Sequence, residues 1–538
     1  MIFMARQRQF SKVLLISPPG KVYIYPDGSP AHRKHCSPPL GIAYLAASLE
    51  KFDYKVECLD ILVEGYEQEE YVEPFIIYGL PLHETMARIR AAAPDVIGVS
   101  ILFSMVIKEV YELCAAIKKE FPHTPIVLGG HHPTGAAMEV MSHLYVDFAM
   151  MGEADVSLVD LLDALNGRRP IESVKGLYYR KDGAIRNTLE GVTPVVAGNG
   201  WNYYRRGDDA TPTEIGKLPF PAWHLFPMEK YWGIDVRTGG GDSIRERYAV
   251  MLSTRGCPHV CYYCSSPLTS GYRNYRKRTN EDVLEEIQWL VDEYGIEEVQ
   301  FLDDNFYVSK KRVKDLLAQI AERFPNVFFQ VTAGTEVNAL DDEMIEIMDK
   351  ANFRKVLLAI EAGDETIQQA LIEKKVKLHR VPAVVEKLKA HRIETRGLFM
   401  MGFPGETRAQ IQKTIDLARA LDLDDFNLSI VTAMPGTPLY DECLEKGLFF
   451  DTTDLNNFRF SSSSFRLPDM TPMDLEGLRR SVWREAFDEK QRRRAEVTGG
   501  KVKHHFADIS TYEKMGFQTK VGPRIQTSAP GQTPPVMI

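Results

Sequence analysis

The sequence contains little cysteine, with seven in 538 residues. Three of the seven fall within eight residues, at Cys257, Cys261 and Cys264. This clustering favours a metal site in a reducing compartment over a disulfide framework. The other four are isolated along the chain, and we interpret them as ordinary free thiols: Cys36, Cys58, Cys114 and Cys443.

The sequence also lacks a long apolar run and a concentrated basic surface. No apolar stretch is long enough to span a membrane, and Arg6 and Arg8 stand where the apolar core of a signal peptide would lie. The formal net charge is -9, and Lys and Arg are scattered rather than gathered in a stripe. We therefore expect a cytoplasmic protein with neither a membrane nor a nucleic acid as a partner.

Composition and length predict an ordinary globular protein of more than one domain. Hydrophobic residues make up 44% and charged residues 26%, and 538 residues exceed what one core usually organises. The expected divisions are a first domain over 1–175, a hairpin and linker over 176–245, a second domain over 246–445, a small, mostly helical C-terminal region over 446–518, and a poorly ordered tail over 519–538.

The first domain reads as an α/β fold in which short β-branched runs alternate with helical patterns. Strands separated by helices imply a Rossmann-like, doubly wound parallel sheet, whose ligands bind outside the carboxyl ends of the strands. The predicted strands are 13–17, 56–60, 96–100, 126–130 and 148–152.

The second domain repeats the alternation six times. Six β/α units are too few for a closed eight-stranded barrel and predict a partial (β/α)6 barrel of the TIM type, with its chemistry at the carboxyl ends of the strands. The predicted strands are 249–253, 299–303, 328–332, 356–360, 394–402 and 426–431.

The cysteine array lies on the loop after the first barrel strand, with the spacing Cys257-x3-Cys261-x2-Cys264. Three thiolates can bind three irons of a [4Fe-4S] cubane and leave the fourth iron open to a substrate. A structural zinc site is the alternative, and it would need a fourth ligand, for which His259 is the nearest candidate.

This array resembles the signature of the radical S-adenosylmethionine superfamily, over roughly residues 246–445. The resemblance implies that the three cysteines are catalytic cluster ligands, that S-adenosylmethionine chelates the open iron, and that its reduction gives a 5'-deoxyadenosyl radical. Tyr263 would then lie near the adenine.

Three later strand ends resemble further parts of the same family. Asp304 stands where many members have a Gly-Gly-Glu that meets the methionine amino group. Glu361 and Gly363 resemble the ribose-binding Glu-Ser-Gly, since a carboxylate can accept from both hydroxyls. Gly402 lies on a glycine-containing strand that resembles the adenine-binding strand.

The first domain carries Ser100-Ile-Leu102, then 26 residues, then Gly129-Gly130, and later Gly152-Glu153. Small residues at adjacent strand ends leave room for a bulky nucleotide tail, and this spacing resembles the cobalamin-binding fold. The Asp-x-His-x-x-Gly of that fold is absent, so we predict that no histidine of that motif ligates cobalt. The nearby His32 and His35 are expected to be solvated.

Together the halves resemble the cobalamin-dependent radical S-adenosylmethionine enzymes, and among them the phosphonate C-methyltransferases of the fosfomycin pathway and their relatives. The resemblance implies methylation of an unactivated sp3 carbon of a small natural-product or phosphonate-like molecule held between the domains. S-adenosylmethionine, methylcobalamin and an electron donor such as flavodoxin or ferredoxin would take part.

Three other functions remain open from the sequence. One is a cobalamin-dependent oxidative cyclase or rearrangement enzyme, a second is a methylthiotransferase, and a third is a non-catalytic cobalamin sensor. The sequence also leaves open whether four arginines bind an anionic substrate or pair with carboxylates: Arg255, Arg273, Arg276 and Arg278.

The cysteine assignment predicts the composition of anaerobically purified protein. We expect about four irons and one cobalamin per chain, and we expect the Cys261→Ala variant to lose iron and keep cobalamin, because the two sites lie in different domains. Metal, sulfide and corrin analysis of both proteins tests this. Zinc in place of iron would contradict the cluster, and iron without cobalamin would contradict the first-domain assignment.

Overall fold

The structure is a computed structural model that describes residues 10–189, 193–196, 202–205, 215–234, 243–450 and 454–498. The expected polar start of the chain and the expected tail over 519–538 lie outside these ranges. No helix within them is long and apolar enough to cross a membrane.

The strands of the first half include the five that the sequence predicts. In chain order they are β1 (Lys12–Ser17), β2 (Gly20–Tyr23), β3 (Lys55–Asp60), β4 (Glu69–Val72), β5 (Phe75–Tyr78), β6 (Val96–Ser100), β7 (Ile126–Gly129), β8 (Phe148–Met150), β9 (Leu177–Lys181), β10 (Ala184–Asn187), β11 (Thr193–Val196) and β12 (Asn202–Arg205).

Seven of these strands form one sheet in the order β10-β9-β8-β7-β6-β1-β3. The pairs from β8 to β3 are parallel, and β9 and β10 add an antiparallel hairpin at the edge. The order departs from β1 in both directions, which confirms the doubly wound prediction. The sequence did not predict a second small sheet, β2-β5-β4, which is antiparallel.

Helices cover both faces of the large sheet. Those of the first half are α1 (Leu40–Lys51), α2 (Ile61–Glu64), α3 (Leu82–Ala92), α4 (Ile107–Glu120), α5 (His131–Gly135), α6 (Ala137–Ser142), α7 (Ser157–Leu165) and α8 (Met228–Trp232), with 3-10 turns at Ser104–Val106, Ile171–Ser173, Ile215–Lys217 and Trp223–Leu225.

The second half has a sheet of six parallel strands and a separate two-stranded ladder. The strands are β13 (Tyr248–Met251), β14 (Thr254–Arg255), β15 (Arg276–Lys277), β16 (Glu298–Phe301), β17 (Phe328–Thr335), β18 (Phe353–Glu361), β19 (Glu394–Met401) and β20 (Asp425–Ile430). The sheet order β13-β16-β17-β18-β19-β20 is parallel throughout, and β13 does not pair with β20. The partial barrel is therefore confirmed.

A helix follows almost every barrel strand. These helices are α9 (Ser266–Ser270), α10 (Asn280–Tyr294), α11 (Lys310–Arg323), α12 (Asp342–Lys350), α13 (Glu365–Leu371), α14 (Val381–Ala390), α15 (Arg408–Ala420), α16 (Pro438–Glu445) and α17 (Pro472–Thr498), with 3-10 turns at Val337–Ala339, Leu378–Arg380 and Leu455–Asn457. Polar caps fix several starts; Thr407 and Gln410, for example, form a capping box at α15.

Residues 215–234, in the segment between the domains, belong to the domains' common core. Trp223 is fully buried, and the Tyr231 hydroxyl donates to the Asp60 carboxylate at 2.5 Å. On the other side, the Trp232 indole N–H donates to the Tyr248 carbonyl at 2.8 Å. One hydrophobic cluster consequently runs through both domains.

The C-terminal helix α17 also contacts both domains. The Arg479 Nε donates to the Leu428 carbonyl on β20 at 2.8 Å, and Arg480 pairs with Asp27 in the loop after β2. This helix lies within the C-terminal region, 446–518, that the sequence predicts to be mostly helical.

The burial of Trp223 predicts that the linker contributes to stability. Trp223→Ala should lower the free energy of unfolding by about 3–5 kcal/mol, because it leaves a large cavity between the domains. Trp483→Ala on the half-exposed face of α17 is the matched control and should cost less than about 1 kcal/mol. Denaturant unfolding measures both, and equal small effects would contradict a shared core.

Candidate functional site

The carboxyl ends of the two parallel sheets face each other. Gly135, after β7, packs so closely on the loop after β20 that a Cβ there would lie 2.0 Å from the Pro435 carbonyl oxygen. Helix α5, which follows β7, also packs against α9, which follows the cysteine array. Since ligands bind at these ends in both folds, the two predicted cofactor sites open toward one junction.

The loop that carries the cysteines is closed at its base by the β14–β15 ladder, which pairs Arg255 with Arg276. Gly256 has a φ of +81°, and a Cβ there would lie 2.0 Å from the Asn274 carbonyl oxygen. Its N–H donates to the Asp304 carboxylate at 3.0 Å. Only glycine therefore fits at the turn that leads from the ladder into Cys257.

The three cysteines are free of disulfides, and two of them are buried. Burial raises the pKa of the Cys257 thiol to about 11 and raises the pKa values of Cys261 and Cys264 as well. The Lys374 ammonium acts in the opposite direction on Cys257 and Cys261. These thiols thus require a strong cationic partner, such as iron, to become thiolates.

The residues fit a cubane better than a zinc ion. Within the described ranges, no group of three His, Cys, Asp or Glu side chains is close enough together to hold one metal ion. A cubane does not need such a group, because each cysteine binds a different iron. His259, the candidate fourth zinc ligand, instead contacts the Glu336 carboxylate at 3.3 Å. Asn305 has a buried side-chain oxygen without a partner, and its amide lies 4.0 Å from the Cys257 sulfur.

Lys374 is a functional candidate that the sequence did not reveal. Its Nζ lies 3.7 Å from a Glu361 carboxylate oxygen. Burial lowers the pKa of Lys374, but Glu361 and the three cysteines outweigh it and raise that pKa. The Lys374 ammonium consequently interacts electrostatically with both the cysteine loop and Glu361 at the end of β18.

Glu361 and Tyr263 lie together, and their expected contacts with the ribose and the adenine stay predictions. Glu361 has a φ of +66°, an uncommon backbone conformation for a residue with a side chain, and it is buried at the end of β18. Burial raises the pKa of Tyr263 well above its usual value, and Glu361 raises it further. Asp304, by contrast, is exposed toward solvent.

The two predicted glycines of the barrel pack against protein. A Cβ on Gly363 would lie 2.5 Å from the Lys413 carbonyl oxygen, so this glycine permits close packing of α15. Gly402 has a φ of +84°, and its N–H donates to the Glu406 carboxylate at 2.6 Å. Their expected contacts with S-adenosylmethionine stay predictions.

The cobalamin-side residues leave an open apolar surface at the sheet's carboxyl end. Ser100 and Gly129 are register partners on adjacent strands, and a Cβ on Gly129 would meet nothing within 4 Å. Gly130 has a φ of +104° and lies against the Ile101 carbonyl. Leu102 and Phe103 are 49% and 52% exposed, so a large apolar face could be covered there by a corrin.

Gly152 and Glu153 lie on the loop after β8, at the junction with the barrel. The Gly152 N–H donates to Thr134 Oγ1 at 2.8 Å. The Glu153 carboxylate pairs with Arg255 and Arg276. The structure thus gives Glu153 two arginine partners, and its expected contact with cobalamin stays a prediction.

All four arginines left open by the sequence pair with carboxylates. Arg255 and Arg276 bind Glu153, while the other two pair within the barrel: Arg273 with Glu373, and Arg278 with Asp282 and Glu286. Burial alone would lower the pKa of Arg255, but Asp155 and Glu153 outweigh it and raise that pKa. These contacts favour the structural alternative over an anion site.

The expectation of a solvated His35 is wrong. Burial lowers the pKa of His35 to about 4, and its Nε2 is buried without a hydrogen-bond partner. The backbone N–H of His35 donates to the Tyr78 hydroxyl at 2.8 Å, so the unpredicted β2-β5-β4 sheet buries it. His32 keeps an exposed surface, although burial lowers its pKa too.

Two family models match the chain in the predicted order. Residues 30–162 match the B12 binding domain, and residues 251–418 match the radical SAM superfamily. The predicted domain order is therefore confirmed.

Curated relatives cover most of the chain. Cytidylyl-2-hydroxyethylphosphonate methyltransferase of Streptomyces wedmorensis is 25% identical, over 86% of this chain and 87% of its own. An uncharacterized methyltransferase of Pyrococcus horikoshii is 29% identical, over 76% and 79%. Anaerobic magnesium-protoporphyrin IX monomethyl ester cyclase of Rubrivivax gelatinosus is 24% identical, over 81% and 70%.

Two solved structures share the fold. The radical S-adenosylmethionine methyltransferase TsrM of Kitasatospora setae, with cobalamin and a [4Fe-4S] cluster bound, superposes with a TM-score of 0.60 at 19% identity, over 81% of this chain and 75% of its own. The cobalamin-dependent S-adenosylmethionine radical enzyme OxsB, with aqua-cobalamin and S-adenosylmethionine bound, gives 0.63 at 14% identity, over 94% and 70%.

The buried Glu406 predicts a pH dependence of stability. Burial raises its pKa from 4.5 to about 7, although the Phe403 and Gly402 N–H groups lower it. Between these values the folded state keeps a proton that the unfolded state has lost, so stability falls as the pH rises through this window. Relative to Glu406→Gln, the natural protein should lose about 3 kcal/mol from pH 4.5 to 7. Denaturant unfolding across this range tests it, and parallel curves would contradict it.

Proposed function

We propose that this chain methylates an unactivated sp3 carbon of a small molecule. Its B12-binding domain precedes its radical S-adenosylmethionine domain, as in the cobalamin-dependent radical S-adenosylmethionine enzymes. The observation that carries the proposal is the apposition of the two sets of strand ends. The extent of the match to two methyltransferases, over 86% and 76% of the chain, supports it further.

Cys257, Cys261 and Cys264 would hold the cluster, and the open surface at Ser100, Leu102 and Gly129 would hold the corrin. When bound, the cluster with S-adenosylmethionine supplies a group that removes a hydrogen atom, and cobalamin supplies the methyl group. A carbon without an acidic proton or a lone pair requires such a radical route.

The chain's own residues then bind and orient S-adenosylmethionine and the substrate, and they exclude water. Glu361 is placed to accept hydrogen bonds from ribose hydroxyls, and the Lys374 ammonium beside it is placed to bind a carboxylate. The exposed Asp304 carboxylate can accept from an ammonium. The apolar Phe103 and the buried core around the junction keep water away from the reacting carbon.

The substrate is proposed to lie between the two sets of strand ends. Since the four arginines of the barrel rim already pair with carboxylates, they contribute little to binding an anion there. We propose a small molecule of the natural-product or phosphonate-like class, an electron donor such as flavodoxin or ferredoxin as the partner, and the cytoplasm as the compartment.

An oxidative cyclase or rearrangement enzyme is the second candidate. The similarity to a cyclase over 81% of the chain favours it, because the same two cofactors would occupy the same junction. A methylthiotransferase needs a second set of three cluster cysteines. The candidates lie on three separate elements, which does not favour this function: Cys36 on the loop before α1, Cys58 in strand β3 and Cys114 in helix α4.

Methyl transfer from labelled S-adenosylmethionine separates these candidates. Reduced holoprotein incubated anaerobically with methyl-labelled S-adenosylmethionine should yield S-adenosylhomocysteine, labelled methylcobalamin and 5'-deoxyadenosine. Glu361→Gln should lower the affinity for S-adenosylmethionine about tenfold, because it removes a charged acceptor. The exposed Glu365→Gln, four residues away, is the control and should not.

The absence of label on cobalamin would contradict the methylase proposal. If 5'-deoxyadenosine forms without methyl transfer to cobalamin or to any small-molecule substrate, the cyclase or rearrangement reading replaces it.

A further inference from the structure

Four charged side chains with little exposure to solvent join the two domains at their junction. Arg255 donates to both oxygens of Asp155, from Nη1 at 2.7 Å and from Nη2 at 3.1 Å. Arg276 donates to both oxygens of Glu153, and Arg255 Nη1 reaches Glu153 at 3.3 Å. We call these four residues the junction quartet. Its charges sum to zero, and none of its side chains is more than 11% exposed.

Each half of the quartet is continuous with a cofactor loop. Arg255 is two residues before Cys257, and the β14–β15 ladder that holds both arginines closes the cysteine loop. On the other side, Glu153 follows Gly152, whose N–H is tied to Thr134 in the helix that follows Gly129-Gly130. The Arg255 guanidinium also lies over the Tyr44 ring, 4.8 Å from its centroid.

Buried ion pairs of this kind contribute little net stability, because the cost of desolvation offsets the Coulomb attraction. Their geometry, however, is narrow: a bidentate arginine–carboxylate pair fixes both distance and orientation. The hydrophobic core of the linker already holds the domains together. The quartet is therefore better suited to setting the relative position of two loops than to preventing the domains from separating.

We propose that the junction quartet is a set of positioning residues that fixes the corrin relative to the iron–sulfur cluster. This inference rests on the proposed function, since it needs both cofactors in the same chain. A substrate carbon between them must meet both reacting groups, and a misplacement of about 1 Å can cost about 100-fold in rate. Direct ion pairing between the two loops limits such misplacement.

The test measures the distance between the cofactors and does not depend on activity. In holoprotein reduced so that the cluster and cob(II)alamin are both paramagnetic, pulsed electron paramagnetic resonance gives their dipolar coupling, which falls with the cube of their separation. The natural protein should give one narrow distance distribution. Asp155→Asn should broaden it about twofold, because an amide cannot form the charge-assisted bidentate pair, and Asp155→Glu should restore much of it.

A matched control removes an arginine–carboxylate pair elsewhere. Asp425→Asn breaks the pair with Arg396, at 2.8 Å and at the amino end of β20, away from the junction. This control should leave the distance distribution unchanged. Arg255→Lys keeps the charge but not the bidentate geometry, and it should broaden the distribution even if Asp155→Asn fails to fold.

The outcomes separate this inference from the proposed function. If the natural protein binds both cofactors and Asp155→Asn and Arg255→Lys leave the distance distribution unchanged, the positioning role is wrong and the function stands. If the natural protein binds iron but no cobalamin, the proposed function fails, and the inference falls with it.

Discussion

The structure depends on one constraint: two parallel sheets must present their carboxyl ends to each other. Parallel sheets bind ligands at those ends because the strand-to-helix loops cluster there. Gly135 against Pro435 allows the two loop clusters to touch, and the residue at position 135 must be small for that contact. The cysteine loop and the Gly129-Gly130 loop are neighbours for this reason, although they are more than a hundred residues apart in sequence.

Apolar burial and charge pairing have different roles at this junction. Apolar contacts hold the two domains together, since large buried side chains fill the space between them: Trp223, Tyr231 and Trp232. The four charges of the junction quartet are paired with one another, as the cost of an unpaired buried charge requires. Near the cysteines, the Lys374 cation faces the Glu361 carboxylate and three thiols, so this part of the site still needs a cationic partner such as iron before the thiols lose their protons.

The sequence predicted what depends on local pattern. Apolar runs such as 126–130 and 356–360 are buried strands in the expected order, because a strand covered on both faces must be apolar along its length. The sequence also placed the cysteine array correctly on the loop after the first barrel strand, β13. The sheet β2-β5-β4 was missed because β4 is polar and exposed, so its sequence does not show the alternation or apolar run of a strand, and the burial of the His35 ring nitrogen was missed with it. The pairing of Glu153 with Arg255 joins residues 102 apart, and no local pattern encodes such a contact. Lys374 was overlooked because it follows a helix as one of several lysines, and only folding brings it to the cysteines.

The central claim is that cobalamin and S-adenosylmethionine share one cavity between the two sets of strand ends. An anaerobic crystal structure of the chain with both cofactors bound tests it most directly. The account predicts that one face of the corrin and the sulfonium of S-adenosylmethionine border the same cavity, with Leu102 and Phe103 covered by the corrin and Glu361 at the ribose. Cofactors bound at separate surfaces, or a corrin that leaves Leu102 and Phe103 exposed, would contradict the account.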